Sequence, residues 1–310
     1  MRNFAAILFT FLLIPYAFAQ RPAEPIIDMH LHAFASNGMG PVDSVSWMYL
    51  PLKTPPKDEE LMSESINMLR RYNIVKAIAS GGLERVRKWK QAAPEVVIPA
   101  LFTTLTTLDV DTLRSYFQSG RIRVLGEVVA QYAGLPPNDP QFEKFFSVAE
   151  SLQIPLGWHM GLGPPGVQQP GRKYRISLSS ALLLEEVLTR HPRLRIYVMH
   201  AGWPLLDDMV AVLYLYQQVY VDVSVINWFV PRNEFHAYLK RLMDAGFGKR
   251  IMFGSDQMVW PEAIRLAIEG IESASFLTAA QKRDIFYNNA AKFLRLSQEE
   301  IRRDHGQATR

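Results

Sequence analysis

Short apolar segments recur along the chain and alternate with longer amphipathic ones. Each apolar segment is rich in Val, Ile and Leu and lacks a polar alternation, which is typical of a strand that is buried on both faces. The sequence predicts eight such strands. They cover residues 26–30, 74–79, 96–102, 124–129, 155–159, 196–200, 219–223 and 251–253.

The segments between these strands carry apolar residues at helical spacing, as Leu183 and Val187 do before the helix stop at His191-Pro192. Buried strands that alternate with amphipathic helices predict a parallel sheet covered by helices. Eight such units without a break in composition favour a single-domain (β/α)8 TIM barrel. An open doubly wound sheet is the alternative, but no Gly-x-Gly-x-x-Gly motif follows any predicted strand.

Two insertions interrupt this regular pattern. Residues 33–56 follow the first predicted strand and residues 161–173 follow the fifth, and both segments are rich in Gly and Pro. Loops that follow the strands of a barrel surround the mouth of its active site. We therefore expect both insertions to form a lid or a wall of a substrate pocket.

The first residues have the organisation of a secretory signal peptide. Arg2 precedes the apolar segment 5–17, and Ala17-Phe18-Ala19 offers a small-x-small cleavage site. An uncleaved membrane anchor is the alternative, but the segment is shorter than the ~20 residues of a spanning helix. We expect cleavage after Ala19, a barrel over residues 20–310, and an exported, periplasmic or secreted protein with no membrane contact after cleavage.

Charge and cysteine content narrow the chemistry. The net charge is +4, and the basic residues are scattered, with the densest group at Arg172-Lys173-Tyr174-Arg175. This pattern predicts a solvated surface and no nucleic-acid partner. The chain has no cysteine, which excludes a thiolate nucleophile and a Cys-type zinc site. Any metal ion must be held by histidines and carboxylates.

Polar residues with metal-binding chemistry stand at the ends of the predicted strands. His30 ends the first strand and His32 comes two residues later, His159 ends the fifth strand, His200 ends the sixth and Asp256 follows the eighth. The carboxyl ends of barrel strands share one face, so these side chains should converge there. Taken singly, each is explained by a structural histidine or a capping aspartate. Together they predict a site for a divalent metal ion.

The order of these residues, together with the motifs IIDMHLH, VMHAGWP, IMFGSD and YNNAAKFL, resembles the amidohydrolase superfamily. These motifs are most similar to those of the amidohydrolase-related branch that includes aminocarboxymuconate-semialdehyde decarboxylase. The resemblance extends over residues 26–296. It implies a metal-dependent enzyme that acts on a small-molecule substrate.

The resemblance implies two alternative ligand sets. In a mononuclear site His30, His32, His159 and Asp256 would hold the ion, and His200 would be a catalytic residue.

In a binuclear site His159 and His200 would hold a second ion, and Glu127 in the fourth strand would bridge the two ions. Glu127 could instead contact substrate or a ligand histidine. The expected cofactor is therefore one or two divalent ions, Zn²⁺ first and Mn²⁺ as the alternative.

The implied reaction is hydrolysis of a small carbonyl compound, an amide, ester or lactone. Asp256 is expected to shuttle the proton of the attacking water, and His200 to assist at the carbonyl. Arg172 is a candidate for binding an anionic substrate group, and Trp260 for lining an aromatic pocket. Arg172 could instead be an exposed loop charge, and Trp260 could instead pack in the core.

Other functions compete with hydrolysis. The resembling branch contains non-hydrolytic decarboxylases with the same ligands. Hydrolysis of a phosphodiester or of DNA is a further alternative. Glu127 favours it, but the sequence shows no basic groove for such a substrate. A catalytically inactive binding protein is the alternative from another class, although such a protein has no need of five convergent metal-ligand side chains.

Overall fold

A computed structural model describes residues 24–39, 52–165, 167 and 171–306. The predicted signal peptide lies outside these residues, as do residues 40–51 of the first insertion and residues 166 and 168–170 of the second. Of the helices that the structure describes, none combines the length and the apolarity that a membrane crossing requires.

Eight parallel strands form one sheet in which sequence neighbours are spatial neighbours from β1 to β8. Backbone hydrogen bonds from Met29 N to Phe253 O (3.0 Å) and from Asp256 N to His30 O (2.7 Å) join the two edges and close the barrel. The strands are β1 Ile26–Ala33, β2 Ile74–Gly81, β3 Val97–Thr103, β4 Val124–Val128, β5 Leu156–His159, β6 Ile196–Met199, β7 Val219–Asp222 and β8 Ile251–Met252.

Helices cover the outer face of the sheet. The α-helices within the described ranges are α1 Asp58–Arg71, α2 Leu83–Ala92, α3 Val110–Gln118, α4 Glu143–Ser151, α5 Glu185–Arg190, α6 Leu206–Leu215, α7 Ile226–Phe229, α8 Arg232–Asp244, α9 Ala263–Glu272, α10 Ala279–Arg283, α11 Asn289–Leu294 and α12 Gln298–Asp304. A π-helical turn, Asp284–Asn288, connects α10 to α11. The predicted single-domain (β/α)8 barrel is confirmed.

Strand ends differ from the predicted ones where the candidate site begins. β1 extends to Ala33, because Ala33 still pairs with Gly81 of β2, so His32 lies within the strand. β6 ends one residue earlier than predicted, at Met199. His200 has a φ of 56°, a left-handed conformation that cannot continue a strand.

The barrel interior is apolar in the half nearest the strand starts. Ile27, Met29, Tyr197 and Met252 are fully buried there and pack against Phe293 of α11. The Tyr197 hydroxyl donates to Met29 O at 3.1 Å, so the one polar atom of this side chain is satisfied. This half forms a plug, which leaves the other end of the barrel for the polar residues.

A buried ion pair holds the C-terminal helix to the barrel. Lys76 Nζ on β2 lies 2.6 Å from Asp304 Oδ1 on α12, and the two side chains are only 9% and 5% exposed. Asp304 Oδ2 also accepts a hydrogen bond from the Tyr287 hydroxyl at 2.9 Å. Loss of either charge would leave its partner buried and unpaired.

We expect Lys76→Met to lower the free energy of unfolding by about 3 kcal/mol, because it strands the Asp304 carboxylate. Lys240→Met is the matched control, since Lys240 and Asp244 form a pair with side chains 52% and 58% exposed. That control should cost less than ~1 kcal/mol. Urea unfolding measures both values, and equal losses would show that the buried pair contributes no more than a surface pair.

Candidate metal centre

The six residues predicted as metal ligands converge at the carboxyl end of the barrel. His30 and His32 lie on β1, Glu127 on β4 and His159 at the end of β5, and each is at most 5% exposed. His200 follows β6 directly, and Asp256 follows β8 by four residues; both are 4% exposed. A buried group of this composition needs compensating charge or a bound ion.

One cluster combines His30, His32 and Asp256, whose candidate ligand atoms lie within 4.8 Å of one another. The Nε2 atoms of His30 and His32 are 3.2 Å apart. Asp256 Oδ1 is 3.0 Å from His32 Nε2 and 3.8 Å from His30 Nε2. Two imidazole nitrogens and one carboxylate oxygen therefore face a common point.

The second cluster combines Glu127, His159 and His200, again with ligand atoms within 4.8 Å. His200 Nε2 is 3.2 Å from His159 Nδ1, and Glu127 Oε1 contacts His159 Nδ1. Among the described residues, His159 forms no such group with His30, His32 or Asp256. A third group, formed by His30, His200 and Asp222, takes one histidine from each of these two clusters.

Glu127 lies between the two clusters and presents one oxygen to each. Its Oε2 is 3.3 Å from His32 Nε2 and 3.6 Å from His30 Nε2. Its Oε1 is 3.7 Å from His200 Nε2 and contacts His159. A carboxylate in this position could contact an ion held by either cluster.

Glu127 faces the interior because β4 has an extra residue there. Leu125 pairs with Leu156 and Val128 pairs with Trp158, so three steps on β4 match two on β5. Such an irregularity breaks the strict alternation of faces and redirects a side chain. A similar extra residue between Asp28 and Leu31 of β1 allows both Met29 and His30 to face inward.

Within the described ranges, two buried atoms of the candidate ligand residues make no hydrogen bond, although Asp256 Oδ1 lies 3.0 Å from His32 Nε2 and His159 faces the second cluster with its other ring nitrogen. His159 Nε2 and Asp256 Oδ1 are buried and have no hydrogen-bond partner in the described part of the chain. Unpaired buried polar atoms are costly and are rare unless they bind water or an ion. The nitrogen and carboxylate donors suit Zn²⁺ or Mn²⁺. The residues therefore fit the divalent ion that the sequence predicts.

A second layer of side chains orients the histidines. His30 Nδ1 lies 2.9 Å from Ser224 Oγ and 3.3 Å from Asp222 Oδ2. His200 Nδ1 lies 3.0 Å from Ser224 Oγ, and His32 Nδ1 lies 2.9 Å from Ser80 Oγ. These contacts at Nδ1 leave Nε2 of each ring to face the centre.

The contacts of Ser80, Asp222 and Ser224 with the histidines were not predicted from the sequence, although Asp222 could have been. Asp222 ends β7, so the strand-end argument that selected His159 and His200 applies to it as well. Ser80 and Ser224 carry no comparable signal, because serines are common at strand ends and in turns.

The loop after β8 is fastened to β1, and this places Asp256. The Gln257 side chain accepts from His32 N at 2.8 Å and donates to His32 O at 2.6 Å. Asp28 Oδ1 accepts from His30 N at 3.0 Å and from Ser255 N at 2.9 Å. Burial raises the pKa of Asp28 to about 6, against the effect of these hydrogen bonds.

The charges of the site are strongly interdependent. Burial raises the pKa of Glu127, but the His159 imidazole and hydrogen bonds from the neighbouring histidines hold it well below its usual value. Burial lowers the pKa of His30, but the Asp256 and Asp222 carboxylates bring it well above its usual value. These shifts place a protonated His30 beside deprotonated carboxylates, and binding of a metal ion would displace the proton of that ring.

Strained backbone accompanies these residues. His200, Val225 and Asp256 have φ values of 56°, 54° and 46°, which is left-handed backbone in residues other than glycine. Each such residue costs about 1–3 kcal/mol and persists only where surrounding contacts fix it. Gly254 is required beside them, since a β-carbon there would lie 2.9 Å from the β-carbons of His30 and Ser224.

A cavity of about 700 Å³ opens above the two clusters. Tyr132 and Trp203 are among its lining residues. Arg172 and Trp260 are not among the described residues that line it. Arg172 is exposed, and Trp260 is buried with its ring 6.4 Å from that of Trp228.

A family model described as amidohydrolase matches residues 27–296. The chain belongs to this amidohydrolase family. A search of curated proteins gives no match. The predicted family resemblance is thereby confirmed, and it supports a metal-dependent enzyme that acts on a small molecule.

Solved structures share the fold of this amidohydrolase at low sequence identity. An uncharacterised TIM-barrel protein from Bordetella bronchiseptica is 15% identical with a TM-score of 0.65, covering 91% of this chain and 100% of its own. A "probable 2-pyrone-4,6-dicarboxylic acid hydrolase" from Acinetobacter baumannii is 15% identical (TM-score 0.63, 87% and 99% covered). A 2,6-dihydroxybenzoate decarboxylase from Rhizobium is 14% identical (TM-score 0.60, 88% and 99% covered). Hydrolase and decarboxylase names both occur on this fold.

We expect Glu127→Gln to lower the metal content of the purified protein from about two Zn²⁺ per chain to about one or fewer, because a neutral amide is a poor bridge between two cations. Mass spectrometry of the metal content after dialysis measures this change. Glu186→Gln, on the exposed face of α5, is the matched control. Two ions retained at unchanged affinity in Glu127→Gln would contradict a bridging role.

Proposed function

We propose that this amidohydrolase is a metal-dependent hydrolase that adds water to a small amide, ester or lactone. The observation that carries the proposal is the position of Glu127 between His30 and His32 on one side and His159 and His200 on the other. The site combines candidate ligands for two ions with a further carboxylate, Asp256, at its edge.

A bound divalent ion would supply Lewis acidity, which polarises a carbonyl group and lowers the pKa of water from 15.7 towards ~7. His30 and His32 would hold one ion together with Asp256, and His159 and His200 would hold the other. The contacts of His30, His32 and His200 with Ser80, Asp222 and Ser224 engage Nδ1 of each ring and direct its Nε2 at the centre.

Asp256 is the group that we assign to proton transfer. Burial raises the pKa of its carboxyl group, but the imidazoles of His30 and His32 bring it below its usual value. The carboxylate is therefore deprotonated at neutral pH and can accept a proton from the attacking water. It would then deliver this proton to the leaving oxygen or nitrogen. The cavity above this carboxylate is lined largely by apolar residues.

We expect Asp256→Asn to bind metal but to lose turnover by about 10²–10⁴-fold, since an amide cannot carry the proton. Asp244→Asn is the control, because Asp244 lies on the exposed end of α8. Steady-state rates on a panel of esters, lactones and amides, with the metal content determined in parallel, measure the effect. Unchanged kinetics in Asp256→Asn would exclude the proton-transfer role.

The same panel, extended to carboxylated aromatics, separates hydrolysis from decarboxylation. In ¹⁸O-labelled water a hydrolase places the label in the product acid. Release of CO₂ without label in the remaining product would replace this proposal by the decarboxylase alternative. That alternative is supported by solved structures with the same fold that carry decarboxylase names.

We further propose that the protein is exported. Arg2, the apolar segment 5–17 and Ala17-Phe18-Ala19 support this proposal. Expression of the full chain in a Gram-negative host should give a periplasmic or secreted product whose first residue is Gln20. A product that keeps its first residues and remains in the cytoplasm would contradict export.

A further inference from the structure

We propose that the substrate body is uncharged and apolar away from the reacting carbonyl group. The inference rests on the proposed function for the reaction itself, but it concerns a different part of the cavity, namely the wall. It sets this chain apart from a hydrolase or decarboxylase whose substrate carries a second carboxylate.

The cavity wall is built mainly from apolar side chains that come from separate strands, loops and helices, and its described polar groups outside the candidate metal centre, those of Thr104, Tyr132 and Trp203, are uncharged. Phe34 follows β1, Phe102 lies on β3, Trp203 follows β6, and Phe229 belongs to α7. The rings of Phe34 and Phe102 are 5.3 Å apart at 90°, and Phe34 also stacks on His32 at 4.1 Å. The aromatic wall thus begins directly at the candidate metal ligands.

No lysine or arginine lines this cavity among the described residues. The carboxylate and imidazole groups that reach it are those of the candidate metal centre itself, which lies at one end. Segments 40–51, 166 and 168–170 lie outside the described residues and are adjacent to lining residues only in the sequence, and they contain no Lys or Arg. Within the described part of the chain, the wall remote from the metal centre therefore offers no cation to a carboxylate.

The basic residues closest to the cavity in the sequence are directed to other partners. Arg175 Nη1 donates to the backbone oxygens of Arg172 and Tyr174 at 2.9 and 2.6 Å. Arg232 Nη1 donates to Asn227 O at 3.0 Å. Arg172 is itself exposed, so the basic group of the second insertion does not supply the missing charge.

These features have a direct consequence for specificity. An ionised carboxylate that enters an apolar wall loses its hydration and gains no paired charge, which is strongly unfavourable. A neutral ring or alkyl group gains from the same wall by removal of apolar surface from water. A cavity of about 700 Å³ accommodates a substrate of the size of an aromatic ester.

A matched pair of ligands tests the inference at the remote end of the cavity. Dimethyl terephthalate and monomethyl terephthalate share the ring and one methyl ester, and only the second carries a distal carboxylate. We measure their dissociation constants by equilibrium dialysis with metal-loaded Asp256→Asn, whose turnover is slowed, and chromatography of both compartments checks that the diester has not been converted into the monoester. The neutral diester should bind at least about tenfold more tightly than the monoester.

Ile176→Arg introduces a cation into the cavity wall without touching a candidate ligand, because Ile176 lines the cavity and is 53% exposed. It should reduce the preference for the diester by about tenfold. Leu182→Arg is the matched control, since Leu182 is 46% exposed and is absent from the described lining. This control should leave the preference unchanged.

The outcomes separate this inference from the proposed function. Equal or tighter binding of the monoester, no saturable binding of the diester, or no response to Ile176→Arg would overturn the inference. A preserved preference for the diester in a protein that never incorporates ¹⁸O would leave the inference standing and refute the hydrolase proposal instead.

Discussion

Four imidazoles and two carboxylates are buried together at one end of an apolar cylinder, and the rest of the fold makes this tolerable. Bringing such groups out of water is costly unless they are paired or bind an ion. Glu127 partly offsets this cost, because one of its oxygens faces His30 and His32 and the other faces His159 and His200. Asp222 and Ser224 support the outer sides of the rings.

The barrel separates stability from chemistry along its axis. The half nearest the strand starts is closed by Met29, Tyr197 and Phe293, and the C-terminal helix is fixed there by the Lys76–Asp304 pair. The opposite half carries left-handed residues and a tightly packed glycine beside the candidate ligands. A rigid base allows strained loops at the rim, which is the usual division in this fold.

The apolar cavity adds a second constraint on the same site. An amidohydrolase fold by itself accommodates both hydrolases and decarboxylases, as the names of the similar structures show. The cavity wall selects the substrate, and its described lining includes Phe34, Phe102 and Trp203 but no lysine or arginine. The reaction and the substrate thus depend on different residues, and they can be tested separately.

The sequence alone determined the barrel and the members of the candidate centre. Buried strands and amphipathic helices alternate regularly, and parallel strands bring His159, at the end of β5, and the loops that carry His200 and Asp256 to one face. Only the tertiary structure decided how the ligands are grouped. Extra residues in β1 and β4 break the alternation of faces and turn His30 and Glu127 inward. The sequence of one strand does not determine its pairing register with a distant strand, so these irregularities could not be predicted. Only the tertiary structure showed which residues form the uncharged cavity wall, because the position of a loop in the sequence does not determine the direction in which its side chains pack.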